Sequence, residues 1–389
     1  MNKADHKLPF GIPRDLALLA ISMFIWGLGE GLFIYFYPLA LQHWGTDPTQ
    51  TGVVLSLIGV TMAVVQVPAG YLSDRVGSRP LIRSASILGV ISAAIMAAAQ
   101  TLSIFIVGLI AYGLTSFIVA PINSYITRMR GSWSVQRAVT FVSGSMQLGA
   151  IIGPMLGGRI GQTAGLSVVF QYSVGLFLVS TLVIFLARRP VVQESQEAAM
   201  QIVNPLANPR FIGLLVFIFF TIFFLSMPQQ LTSIFLQDVH HLSLQQIGTT
   251  GTLAGIGTAV IMFALGNLRA STGMIVGQLL LCLFSLFMWL GNNTAMFYSG
   301  YLFVGGYRLY RSMALAFARP LVKTGDVGLA YGLVETGNAL AVILAPLAAG
   351  FLYNYEPEAV YTVSLIALTI TITLSALRLP KKYEELIIT

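Results

Sequence analysis

Four charged side chains sit deep inside long apolar stretches: Glu30, Arg308, Arg311 and Glu335. At bilayer depth each costs about 2.5–3.5 kcal/mol on insertion scales, so each must face protein or water rather than lipid. Their types suggest reversible chemistry. Glu30 lies near the centre of its stretch, which holds no Lys or Arg. Burial disfavours the charged form of a carboxylate, so Glu30 is suited to take up and release a proton. A guanidinium cannot be neutralised in this way. Arg308 and Arg311 are three residues apart and share a helix face. Together they form a two-point clamp for a carboxylate or phosphate. Glu335 enters from the opposite direction to a depth like that of Arg311, so it is a partner for Arg311 or a second proton carrier. A purely structural ion pair is the rival for each.

The elements that carry these groups are membrane helices. Of 389 residues, 56% are hydrophobic and 9% charged, where a soluble domain carries roughly 25% charged. A spanning helix needs about 20 mostly apolar residues. Twelve stretches qualify: Leu16–Leu41, Thr51–Leu72, Leu81–Ala99, Ile104–Ile126, Ala138–Gln162, Val168–Ala187, Phe211–Phe235, Ile247–Leu268, Met274–Leu290, Met296–Phe317, Gly328–Leu352 and Ala359–Leu377. The longest connection divides the chain into a six-helix half at 1–187, a cytoplasmic linker at 188–210 and a second half at 211–389.

Basic residues fall in alternate connections and at the termini, while the other connections hold Asp47, Asp238, Glu356, Glu358, His43, His240 and His241 and no Lys or Arg. Both termini are therefore expected in the cytoplasm of a multi-pass protein of the inner (cytoplasmic) membrane. The net charge of +7 then reports cytoplasmic loops and anionic lipid headgroups rather than nucleic acid. Met1 to Arg14 is polar and is not expected to be a cleavable signal. His240 and His241 are expected in a solvated loop. Cys282 is the sole cysteine, and no Gly-rich phosphate loop or His/Glu metal motif occurs, so no cofactor or metal is expected.

The two halves look like diverged copies. Thr51–Gly77 aligns without gaps on Ile247–Gly273, with Ala270 standing where the first copy has Asp74. Between the second and third stretches runs Gly70-Tyr-Leu-Ser-Asp74-Arg75-Val-Gly77-Ser-Arg79-Pro80. Its glycines allow a tight reversal, Pro80 suits a helix first turn, and the acid and arginines can pair with one another and with helix ends. This loop resembles the signature loop between helices 2 and 3 of the major facilitator superfamily of secondary transporters. The resemblance covers essentially the whole chain. The fifth stretch carries Gly149-x3-Gly153-Pro154-x2-Gly157-Gly158. Small residues there let helices approach closely and Pro154 kinks the helix. It resembles the motif of the superfamily's drug:proton antiporter branch, with Thr140 where a further glycine is expected.

The resemblance implies an all-α membrane protein of twelve transmembrane helices in two six-helix pseudo-repeats, with helices 1, 4, 7 and 10 lining a central cavity. On that arrangement the substrate-binding candidates are Glu30, Tyr37, Asn123, Gln229, Tyr307, Arg308 and Arg311, and the proton-coupling candidates are Glu30 and Glu335. Trp26 and Phe33 share the face of Glu30, and the fourth stretch also offers Tyr112 and Ser116. Gly70, Asp74, Arg75, Gly77 and Arg79 would form a conformational latch. The expected protein is a monomeric secondary active transporter, not an enzyme, that moves a small organic solute by alternating access. Protons and membrane lipids are its other partners. Aromatics with two cations suit an amphipathic or anionic ligand, and export is favoured. A proton-coupled importer of an organic anion, a non-transporting sensor or scaffold, and an intramembrane enzyme on this fold remain alternatives. If Glu30 and Glu335 balance both arginines, a neutral or cationic ligand is expected instead. Asp74→Asn is expected to slow transport in proteoliposomes while expression stays near normal; unchanged rates would remove the latch.

Overall fold

The computed structural model describes residues 7–8, 12–187, 208–322 and 327–378. Linker residues 188–207 lie outside the described residues. A two-residue hairpin, β1 (Lys7–Leu8) and β2 (Ile12–Pro13), precedes the helices. In order these are α1 (Arg14–Ile34), α2 (Tyr37–His43), α3 (Pro48–Val76), α4 (Ser78–Ala97), α5 (Leu102–Leu114), α6 (Val119–Met129), α7 (Val135–Ala164) and α8 (Leu166–Phe185). They continue with α9 (Pro209–Ser226), α10 (Thr232–Asp238), α11 (Leu244–Leu265), α12 (Ala270–Leu290), α13 (Thr294–Tyr301), α14 (Gly306–Ala318), α15 (Val327–Tyr355) and α16 (Ala359–Arg378). Local chemistry sets several starts. Ser134, Thr101 and Asn293 accept backbone N–H groups three residues on, and Pro209 stands at the first position of α9.

Every expected stretch is helical, but four are not single helices. The first is α1 and α2, broken at Tyr35–Phe36. The fourth is α5 and α6 around a 3-10 turn at Thr115–Ile118, and the seventh is α9 and α10 around another at Met227–Gln229. The tenth is α13 and α14, separated by turns at 302–305. Among the described residues, eleven stretches are long and apolar enough to cross a membrane as they stand. The tenth falls short because its pieces are only 8 and 13 residues long.

The reversal near Asp74 is tighter than the sequence suggests. Helix α3 runs on through Gly70 and Arg75 to Val76, and α4 begins at Ser78. Gly77 alone makes the turn, with φ of 87°, a value that strains any residue with a Cβ. Pro80 does fall in the first turn of α4. The side chain of Asp74 lies outside the described residues. The second copy turns differently. Its Gly273 is buried inside α12, and α11 has already ended at Leu265.

By internal contacts the chain forms two compact units. The first comprises Met1–Gly45, Leu57–Ser195 and Ser243–Thr252, the second Thr46–Ser56, Gln196–Leu242 and Leu253–Thr389. These differ from halves cut at the linker, because one end of α3 and one end of α11 are exchanged. In the first unit α1 packs on α7 and α8. The approach to α7 is backbone to backbone: a Cβ added at Gly149 would lie 2.1 Å from Phe24 O, and one at Gly157 would lie 1.9 Å from Leu32 O. Gly153 meets Gly31, and Gly158 faces Leu244 and Gly248 of α11. Hydroxyls fasten α1 to α8, with Ser22 to Ser180 at 2.9 Å and Ser173 to Gly29 O at 3.0 Å. In the second unit α12 packs on α14 and α16, and α9 on α15.

His240 is not the solvated loop residue the sequence suggests. Its ring lies 4.8 Å from Phe235 and 4.5 Å from Phe297, and its Nε2 is buried without a hydrogen-bond partner among the described residues. The turn that seats it closes α10 by a bond from Leu242 N to Leu236 O, with His241 at φ of 54°. Burial holds the His240 imidazole below its ordinary pKa of 6.5; Glu358 opposes this and His241 adds to it. The contribution of neutral His240 to stability is therefore complete above about pH 6.5 and is lost as pH falls through the lowered value. Thermal unfolding in detergent from pH 7.5 to 5 is expected to show a fall in Tm that His240→Phe reduces; an identical fall in the variant would contradict this.

Candidate functional site

The candidate residues form two clusters, one in each unit. In the first unit Glu30 is half-buried in α1, two turns before Tyr37 opens α2. The Tyr112 hydroxyl, near the end of α5, donates to the Glu30 carboxylate, and its own oxygen accepts from the Trp26 indole N–H. An aromatic stack fixes these groups. Trp26 lies 4.3 Å from Phe177 of α8, Tyr112 lies 6.0 Å from Phe177, and Phe33 lies 5.1 Å from Tyr37 and 5.2 Å from Tyr112. Trp26, Phe33, Tyr37 and Tyr112 are all buried. Asn123 is exposed on α6, eleven residues past Tyr112 and so roughly 16 Å further along the axis. It is not brought to Glu30.

In the second unit Arg311 grips Glu335 of α15 with two bonds, Nε to Oε1 at 3.3 Å and Nη2 to Oε2. Tyr307 stands within electrostatic reach of Arg311, Glu335 and Arg308. Arg308, in the first turn of α14, is exposed and has no ion-pair or hydrogen-bond partner among the described residues. Arg308, Arg311 and Ser312 form one exposed face of α14. So polar a face on a membrane helix meets water or solute rather than lipid. Buried Leu309, Tyr310, Met313 and Ala314 hold the other side.

Gln229 has a different task from the one its sequence position suggests. Where α9 is interrupted, backbone carbonyls lose their helical partners. Gln229 Nε2 donates to Leu225 O at 2.8 Å, Gln230 Nε2 to Ser226 O at 3.1 Å, and the Thr232 hydroxyl to Pro228 O. These side chains satisfy the break. At the interruption after α5, Thr115 Oγ1 donates to Tyr112 O at 2.6 Å and Ser116 Oγ to Met62 O at 3.2 Å.

Of the latch residues, Arg75 is exposed and Arg79 half-buried. Next to them Arg83 donates to Phe185 O at 2.6 Å and lies 4.3 Å over the Phe185 ring. Two residues escape a reading of the sequence. Phe177 stacks under the Glu30 cluster, but a Phe in an apolar run carries no signal of that. Asn338, three residues beyond Glu335, is 2% exposed, and neither of its amide atoms has a partner among the described residues. An amide in mid-stretch was the signal for it.

Known proteins resemble the chain throughout. A family model for the Major Facilitator Superfamily matches residues 19–305 and 235–387. Multidrug resistance protein MdtG of Escherichia coli strain SMS-3-5 is 26% identical over 226 residues, and MdtG of strain K12 is 25% identical. Each match covers 54% of this chain and 54% of the relative, so the chain spans about half the length of the curated relatives it matches. Among solved structures, the nucleoside transporter NupG superposes with a TM-score of 0.75 at 13% identity, covering 93% of this chain and 97% of that one. The human organic anion transporter MFSD10 gives 0.65 at 17%, with 93% and 99% covered. At these identities the structures establish the fold.

The Arg311 and Glu335 side chains are 46% and 35% exposed, on a face too polar to meet lipid. A double-mutant cycle over Arg311→Ala and Glu335→Ala, read by equilibrium unfolding in mixed micelles, is therefore expected to give a coupling of about 0.5–1 kcal/mol. A coupling of several kcal/mol would mean that the pair is dry.

Proposed function

We propose a transport cycle from one premise: the chain belongs to the Major Facilitator Superfamily and is a multi-pass secondary transporter. Its solute is a small amphipathic organic anion, its coupling ion is the proton, and its direction is export by alternating access. One observation carries the substrate class. Of two arginines one turn apart on the exposed face of α14, Glu335 neutralises one, while the other has no acid partner among the described residues. Arg308 also stands in the first turn of α14, where the helix dipole is positive. A cation there calls for an anion, and a carboxylate or phosphate on the solute supplies it. Tyr307 and the aliphatic part of the arginine stems meet the apolar portion of the solute.

Glu30 is the proton carrier, held by Tyr112 in a ring of aromatics. The export direction is favoured by the glycine run of α7 and by the relative named a multidrug resistance protein. Exchange of an external proton for an internal monovalent anion moves two charges per cycle. An inside-negative potential drives both, by about 2.3 kcal/mol per charge per 100 mV. The MdtG likeness favours a second reading, in which cationic or neutral amphipaths are exchanged for protons and the arginines are structural.

Binding of anionic, neutral and cationic amphipaths to wild type, Arg308→Ala and Arg311→Ala separates the two. Arg308→Ala is expected to weaken anions at least about tenfold and leave neutral ligands unchanged. Wild-type affinity for every anion in both variants would remove the clamp and favour the second reading. Glu30→Gln is expected to abolish flux driven by a pH gradient and to spare downhill exchange. Surviving gradient-driven flux would pass the proton role to Glu335.

A further inference from the structure

The Glu30 cluster contains two tyrosines in unlike situations. Tyr112 is 6% exposed, and its hydroxyl already donates to the Glu30 carboxylate while accepting from Trp26. Tyr37 is 8% exposed, and its hydroxyl is buried with no hydrogen-bond partner among the described residues. A buried hydroxyl left without a partner is costly. Tyr37 nevertheless stands within electrostatic reach of Glu30. Its position follows from the chain: Tyr37 opens α2 just past the break at Tyr35–Phe36, seven residues beyond Glu30 of α1, and helical side chains lean back towards the N-terminus. Its ring has little freedom, being 6.5 Å from Tyr112 in an edge arrangement and 5.1 Å from Phe33.

We propose that Tyr112 and Tyr37 are positioning residues for opposite protonation states of Glu30: Tyr112 donates to the carboxylate, and Tyr37 accepts from the carboxylic acid. The inference rests on Glu30 as the proton carrier. In the deprotonated state the carboxylate accepts the Tyr112 O–H. On proton uptake from water a new O–H bond forms on a Glu30 carboxyl oxygen, and that O–H donates to Tyr37 Oη. Neither tyrosine gains or loses a proton, and the Trp26 N–H keeps the Tyr112 oxygen occupied throughout. Each state of the carrier thus has its own partner, and proton uptake supplies the donor that the buried Tyr37 oxygen lacks.

Difference infrared spectroscopy of the reconstituted protein across its pH titration tests this. Bands absent from Glu30→Gln identify the carboxylate and carboxylic acid of Glu30. Tyr112→Phe is expected to shift the carboxylate stretch and leave the acid C=O stretch in place. Tyr37→Phe is expected to do the converse, moving the acid C=O stretch to higher frequency. Trp26→Phe removes the N–H facing Tyr112 together with part of the ring stacked on Phe177, and is expected to give a smaller shift of the carboxylate band, which supplies the same test with both hydroxyls present. Bands unmoved in both tyrosine variants, or both bands moved alike by each, would overturn the assignment and leave the tyrosines as packing. Gradient-driven flux in Glu30→Gln separately tests Glu30 as the carrier, and its outcome does not alter the bands.

Discussion

A guanidinium inside a membrane cannot discard its charge, and that constraint organises this molecule. A carboxylate at the same depth has the option of taking a proton. Arg308 and Arg311 have none, so negative charge and water must come to them. Glu335 of α15 answers for Arg311 through two hydrogen bonds. The exposed face of α14 answers in part for Arg308, and in the proposed cycle the solute answers for the rest. The same charges help explain why the tenth stretch is the least helix-like of the twelve. Its apolar content is diluted, it divides at 302–305, and its lower piece opens with Gly306, Tyr307 and Arg308.

The breaks in the helices follow a pattern. The first, fourth, seventh and tenth stretches are interrupted, and the other eight run as single helices. Those four are the ones that superfamily resemblance assigns to the cavity. Interrupted membrane helices are tolerated where freed backbone groups find partners, and here side chains supply them. Gln229, Gln230 and Thr232 serve the break after α9, and Thr115 serves the one after α5. Polar residues that look like ligand contacts in the sequence are thus partly committed to backbone. The continuous helices do the opposite work. In α7 the glycines bring backbone against α1, and α1 carries Glu30.

Much of this was legible beforehand because bilayer physics is simple. Twenty apolar residues make a span, so all twelve stretches could be located. The depth argument that matched Arg311 with Glu335 needed only rise per residue. What escaped was anything set by a single backbone angle or by a distant neighbour. The turn after α3 needs one glycine at positive φ, so Gly70 and Arg75 stay helical. His240 looked solvated because sequence does not show Phe235 and Phe297 closing around it. Phe177 comes from another helix to the Glu30 cluster, and no local pattern marks it. Asn123 is carried by the same stretch as Tyr112 but lies at a different height from Glu30.

The charge moved per transport cycle tests the account most directly. Current can be recorded from proteoliposomes on a solid support, with a monovalent amphipathic anion inside and protons supplied outside. Exchange of one proton for one anion predicts a net inward positive current that reverses only when the combined proton and anion gradients are offset by voltage, and that disappears in Arg308→Ala. Solute flux without current would contradict it, since proton–anion symport and proton–cation exchange are both electroneutral.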